Sequence, residues 1–226
     1  MFNHLNRRNR LLEWSFGLTL ILLIGIVLFA APQTVRAWYR ELVLAWTAPD
    51  SGNTYDVAWG DYDGDGDLDL IVCNGNEDSW TSGTSRLYAN EGGTFTQVWS
   101  VAVSRAYSVD WGDWDGDGDL DLAFSGYYDD RPITVYANDN GSFPSSPTWT
   151  SSEQAETPSI DWGDMNGDGL DDLAVGNDGQ PNRVYTSTGT SLVLAWTAPV
   201  TQSTTSVAWA DYDGDGDLDL AVGNTD

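Results

Sequence analysis

A nine-residue pattern, aspartate at nearly every second position with glycine between, recurs four times in this 226-residue chain, at 61–69, 113–121, 164–172 and 211–219. The first and last copies lie inside an identical stretch, DYDGDGDLDL, at 61–70 and 211–220. Neighbouring carboxylates repel, so such a loop opposes its own folding. The four runs nevertheless hold more than half of the 35 acidic residues. Charge gathered in this way marks sites, whereas a solvated surface scatters it.

The runs are spaced by 47 to 52 residues, and the flanking sequence repeats with them. Before each comes a short strand-like segment: YDVAWG, YSVDWG, PSIDWG or TSVAWA. After each comes a second: LDLIVCN, LDLAFSG, DDLAVGN or LDLAVGN. A third (SRLYAN, ITVYAN, NRVYTS) and a fourth (TFTQVWS, SPTWTS, SLVLAWTAP) follow, separated by Gly or Asn turns. β-Branched and aromatic runs bounded by such turns predict hairpin-linked strands, and no segment after residue 37 has a sustained helical period. Four strands in a unit of about 50 residues is the size of a β-propeller blade. The expected fold is all-β, a propeller of four-stranded blades over 38–226, with units near 51–100, 101–150, 151–200 and an incomplete 201–226. About three and a half repeats fall short of the 4–8 blades that close a propeller. The expectation is that the remaining blades are missing or supplied by another chain.

The loop chemistry answers the repulsion. With Asp61 at position 1, Asp63 and Asp65 take positions 3 and 5, Gly66 takes position 6 and Asp69 takes position 9. Oxygens at positions 1, 3 and 5, a carbonyl at 7 and a glycine at 6 are the means by which an EF-hand loop wraps calcium. The mutual repulsion of an ion-free loop then becomes attraction to a shared hard cation. The EF-hand itself is excluded, because position 12 is Val72, Phe124, Val175 or Val222, apolar each time and within a strand pattern. Magnesium is disfavoured, since it prefers few carboxylates and retained waters.

The remaining motif, D-x-[DN]-x-D-G-x-x-D between two strands, resembles the FG-GAP repeats of integrin α-subunit propellers and the VCBS-type repeats of exported bacterial proteins, over roughly 41–226. The resemblance implies calcium as cofactor and side-chain ligands at Asp61, Asp63, Asp65 and Asp69; Asp113, Asp115, Asp117 and Asp121; Asp164, Asn166, Asp168 and Asp172; and Asp211, Asp213, Asp215 and Asp219. It implies backbone carbonyl ligands from Asp67, Asp119, Leu170 and Asp217.

The N-terminus follows different rules. Arg7, Arg8 and Arg10 precede an apolar run from Phe16 to Ala31, and small residues Val35 and Ala37 follow at the positions a signal peptidase reads. Residues 1–37 therefore predict a signal peptide, or an uncleaved membrane anchor through a hydrophobic helix at 11–31. Either places the repeats outside the cytoplasm, extracellular or at the cell surface. An exported domain commonly carries disulfides, yet Cys73 is the single cysteine and is expected to be a buried hydrophobe.

Net charge of −26 argues against a nucleic-acid partner. No lysine is present to form a Schiff base, and Cys73 lacks a partner base. The one histidine, His4, lies in the export segment and leaves no His-based triad in the repeats, and the paired carboxylates are assigned to metal by the motif. The chain is not expected to be an enzyme. Trp59, Trp111, Trp162 and Trp209 each stand two residues before a loop. They read either as packing between blades or as sugar platforms, and one per blade at a fixed strand position favours packing. Trp80, Tyr127 and Tyr128, in the variable loops, are the candidates for contacting a protein or glycan ligand. The resulting expectation is an exported calcium-binding scaffold or recognition and adhesion module. The alternative is a non-catalytic or partial portion of a calcium-dependent carbohydrate-active enzyme.

Overall fold

The computed structural model describes residues 45–49, 52–75, 83–127 and 131–225. The chain divides into two compact units, Met1–Thr47 and Ala48–Asp226, and the fold described here is that of the second. The expected export segment and hydrophobic helix, with Trp80 and Tyr128, lie outside the described residues. Among the described residues no helix is long and apolar enough to cross a membrane.

Among the described residues of the second unit, the regular structure is antiparallel β. The first sheet takes β1 (Asn53–Gly60), β2 (Asp69–Gly75), β3 (Gly83–Glu91) and β4 (Thr94–Val103) in sequential order. The second repeats that order with β5 (Ala106–Gly112), β6 (Asp121–Gly126), β7 (Thr134–Tyr136) and β8 (Trp149–Thr150). The third contains β9 (Ser159–Gly163), β10 (Asp172–Gly176), β11 (Asp178–Ser187), β12 (Leu192–Ala210) and β13 (Asp219–Thr225), ordered β13-β12-β11-β10-β9. This sequential meander is the blade pattern the repeat predicted.

The third sheet departs from it in one respect. Separate strands were expected for the end of the third unit and the start of the fourth, but β12 is one strand of 19 residues. Its first half pairs with β11, from Leu192↔Ser187 onward, and its second half pairs with β13, as in Val207↔Val222. The segment TAPVTQSTTSVAW is rich in β-branched residues and has no glycine to turn it. Between the first two sheets, by contrast, the chain turns at Ser104 and Arg105, where Arg105 adopts φ 52°.

The apolar core lies between sheets. Ile71, Cys73, Leu87 and Val101 of the first meet Val109, Trp111, Leu122 and Phe124 of the second in one cluster. Val135 and Ile133 of the second meet Ile160, Trp162, Leu173 and Val175 of the third in another. β2, β6 and β10 are therefore buried almost throughout, which accords with their continuous apolar runs, whereas β13, the corresponding strand of the fourth repeat, is largely exposed. Cys73 is a buried free thiol, as expected.

The tryptophans act as the wedges of this packing. The Trp162 ring lies on Gly112 of the preceding sheet so closely that a β-carbon there would stand 2.5 Å from its Cγ. Trp111 lies on Gly60 in the same way, with 2.9 Å to its Cδ1. Both indoles are buried, which favours packing over sugar binding for these two. Trp59, the first of the series, is 53% exposed.

Candidate metal centres

Each acidic run forms the bend between the first and second strands of its blade, and glycines at positions 4 and 6 take positive φ in all four copies, for example 73° and 93° at Gly64 and Gly66. Only glycine adopts that conformation without strain.

The aspartates are held by the loop's own amides in a repeated ladder. The position 1 carboxylate accepts the N–H of the position 6 glycine: Gly66 to Asp61, Gly118 to Asp113, Gly169 to Asp164 and Gly216 to Asp211, at 2.9–3.1 Å. Position 3 accepts from position 5, through Asp63, Asp115, Asn166 and Asp213. Position 5 accepts from position 7, through Asp65, Asp117, Asp168 and Asp215. Asp113, Asp164 and Asp211 accept a second backbone bond on their other oxygen, from Gly116, Gly167 and Gly214, whereas the other oxygen of Asp61 has no partner.

Position 9 has a further task. Asp69 accepts the N–H of Tyr62 through one oxygen (3.1 Å) and that of Asn90, at the end of β3, through the other (2.8 Å). Asp121 does the same with Trp114 and Asn138, and Asp172 with Met165 and Ser187. Asp219 accepts from Tyr212. The ninth residue thus staples its loop to the sheet, a role the sequence pattern did not disclose.

Positions 1, 3 and 9 converge. Asp61, Asp63 and Asp69 offer oxygens within 4.8 Å of one another, as do Asp113, Asp115 and Asp121, and Asp211, Asp213 and Asp219. The position 5 aspartates fall outside these trios. The third loop replaces its position 3 carboxylate with Asn166, whose amide donates to Asp172 (3.1 Å). At position 7 the Asp67 and Asp119 side chains reach away to the N–H groups of Gly92 and Asn140 in the β3–β4 and β7–β8 connections. That leaves the backbone as the ligand position 7 can offer its own loop.

A cation fits this donor set. Asp61 Oδ1 is buried and has no hydrogen-bond partner, although Asp63 and Asp69 stand beside it. A buried unpaired carboxylate oxygen is costly unless a cation or donor meets it. Burial also pushes the Asp121 carboxyl up to about 8, with Asp115 and Asp117 adding repulsion against the bonds from Asn138 and Trp114. Asp69, Asp115 and Asp172 are raised from the same cause, burial first and neighbouring carboxylates after it. Hard oxygens in excess of nearby positive charge are the donors calcium takes.

A model of the FG-GAP-like repeat matches this chain three times, at residues 79–124, 113–175 and 164–222. The chain belongs to the FG-GAP-like repeat family. The three matches contain the second, third and fourth loops, and the first loop repeats the fourth letter for letter. Among solved structures, this FG-GAP-like chain is similar to an exotype rhamnogalacturonan lyase at 18% identity and a TM-score of 0.48, over 76% of this chain and 38% of the lyase. It is similar to a V. cholerae biofilm matrix protein at 16% identity and a TM-score of 0.42, over 74% of this chain and 34% of the other. It therefore spans well under half the length of either. No curated protein matches it.

Proposed function

We propose that the chain is an exported calcium-binding repeat module, a scaffold or recognition surface rather than a catalyst. Each of its four loops would take one ion. In the first loop Asp61, Asp63, Asp65 and Asp69 would supply side-chain oxygens and Asp67 its carbonyl, with the equivalent residues in the other three. The bound ion would supply the positive charge that lets these carboxylates lie together. The observation that carries this reading is the buried, unpartnered Asp61 Oδ1 beside Asp63 and Asp69. Export is supported by the basic, apolar and small-residue succession over 7–37. A binding role is supported by aspartates engaged in loop geometry and by the absence of lysine and of any histidine beyond His4. A protein or glycan would be the ligand.

Calorimetric titration of chelator-stripped protein with calcium tests the metal assignment. Saturable binding at a stoichiometry near the number of loops is expected. Absence of binding at millimolar calcium overturns it.

A further inference from the structure

The four loops are adjacent in the repeat but not independent in their hydrogen bonding. The Nδ2 group of Asn138, on the second blade, donates to the carbonyl oxygen of Tyr62, position 2 of the first loop, at 2.7 Å. The N–H of the same Asn138 donates to Asp121, position 9 of the second loop, at 2.7 Å. Asp121 in turn accepts the N–H of Trp114, position 2 of the second loop. The carbonyl oxygen of Trp114 accepts the hydroxyl of Ser187 on the third blade, and the N–H of Ser187 donates to Asp172, position 9 of the third loop. Asp172 accepts the N–H of Met165, position 2 of that loop. One unbroken relay therefore runs Tyr62–Asn138–Asp121–Trp114–Ser187–Asp172–Met165 through three candidate centres.

Both joints are buried: Asn138, Asp121, Trp114, Ser187 and Asp172 are all shielded from solvent. A hydrogen bond there has no water to replace it, so its loss leaves an unpaired group. Each joint also grips a critical peptide. Tyr62 lies between Asp61 and Asp63, and Trp114 between Asp113 and Asp115, so the carbonyl being held belongs to the backbone that aims ligands 1 and 3. A second link reinforces one boundary. Asp113 donates its N–H to the Asp171 carboxylate (2.9 Å), and Asp171 returns its own N–H to the Asp113 carbonyl (3.0 Å).

We propose that Asn138 and Ser187 are positioning residues that couple neighbouring calcium loops, so that filling one loop raises the affinity of the loop on the preceding blade. The coupling rests on the calcium reading above. Ion binding in the second loop fixes Asp121; Asp121 fixes the backbone of Asn138; the Asn138 amide then holds the first loop's peptide in its ligating orientation. The same steps link the third loop to the second through Ser187. Coupling of this kind is reciprocal, because it is a difference in free energy between joint and separate occupancy.

The test follows calcium titration of the full chain by the amide resonances of Gly66 and Gly118, each of which bonds to its own loop's first ligand. Asp115→Ala, which disables the second loop, is expected to raise the calcium midpoint at Gly66 by about fivefold or more. In an Asn138→Ala background the same substitution is expected to leave that midpoint unmoved. A Gly66 midpoint that Asp115→Ala shifts equally in both backgrounds, or in neither, overturns the coupling while leaving calcium binding intact. Should Asn138→Ala fail to fold, Ser187→Ala removes a single oxygen at the second joint, with Asp168→Ala disabling the third loop and Gly118 as reporter; the same criteria apply. A wild-type Gly66 resonance that ignores calcium altogether removes the metal reading and the coupling with it.

Discussion

Asp110 accepts the backbone N–H of Trp162 across a blade boundary, at 3.0 Å, and Asp161 repeats the contact with the N–H of Trp209 one blade on, at 2.6 Å. Asp56 spans the first boundary by a related route, accepting from Ser108 and Val109. First strands are therefore strapped to one another by carboxylates outside the four acidic loops.

Burial pushes the Asp110 carboxyl from its ordinary 3.8 up to about 7, with Asp161 and Asp56 adding repulsion and the Trp162 and Trp111 N–H groups opposing it. A carboxyl raised on folding stabilises fully below its unfolded value, and that contribution is lost as pH rises through the folded one. From about pH 4 to about pH 7 the protein should therefore progressively lose the part of its stability owed to Asp110, with the last of it going above pH 5.5. Asp110→Asn keeps an acceptor for Trp162 without the charge, and should melt a few degrees above the wild type at pH 8. Its advantage should shrink at pH 5.5. An equal difference in melting temperature at both values would show that Asp110 does not titrate in this range.

Calcium removal should lower thermal stability strongly. Binding confined to the folded state contributes about 2.7 kcal/mol per site at a ligand concentration one hundred times the dissociation constant. With four loops and no disulfide, the melting temperature should fall by many degrees between millimolar calcium and excess EDTA. Scanning calorimetry in the two buffers measures it, and coincident transitions would contradict the metal assignment.

Asp63 and Asp67 are both acidic neighbours in one loop, and substitution should separate them. Asp63 belongs to the convergent trio, whereas Asp67 turns to the Gly92 N–H. Asp63→Ala should weaken calcium at the first loop more than about tenfold, since even residues behind the ligands cost that much. Asp67→Leu, which copies Leu170 of the third loop, should cost about 1 kcal/mol or less, the worth of an exposed charge. Equal weakening by calorimetry would mean a diffuse acidic patch.

Gly112→Ala should destabilise the second boundary by about 1–3 kcal/mol, because the new methyl meets the Trp162 ring in a packed core. The same change at Gly118, whose β-carbon position is open but whose φ is 94°, should act through backbone strain and calcium affinity instead. Denaturant midpoints with and without calcium distinguish the two. A calcium-dependent loss at Gly112 would disprove the packing account.

Val57, Trp59 and Leu68, at 49%, 53% and 56% exposure, place on one face of the first blade the residue types that Val109, Trp111 and Leu120 direct into the first inter-blade core. A contiguous apolar patch of that kind favours association. The 226-residue chain should self-associate in light scattering, and Leu68→Asp should shift it towards monomer. A wild-type monomer at high concentration would count against this.

The loops and the blade repeat were legible because their determinants are local. Glycines at φ-critical positions, carboxylates at ligand spacing and strand-length apolar runs all act within about a dozen residues. The wedge role of Trp111 and Trp162 was legible from their fixed offset before each loop. The relay was not, because its joints span 76 and 73 residues and use different side chains, Asn138 and Ser187, at ordinary strand ends. The endings of SRLYAN, ITVYAN and NRVYTS held the only sequence signal for it. The two tasks of Asp69, Asp121 and Asp172 were hidden for a related reason, since one carboxylate has two oxygens and spacing reports only that it is there. The fusion of two expected strands into β12 reflects a segment rich in β-branched residues and without a glycine to turn it.

That long strand has a mechanical consequence. Where β12 passes from its ladder with β11 to its ladder with β13, no turn intervenes, so tension along it is carried in shear by both sets of hydrogen bonds together. At Ser104 and Arg105 the chain reverses, and a pull across that point straightens a bend before it loads any ladder. Under force the boundary between the third and fourth blades behaves as a rigid coupling and the one between the first and second as a compliant joint, so the repeats should yield in an order set by their connections.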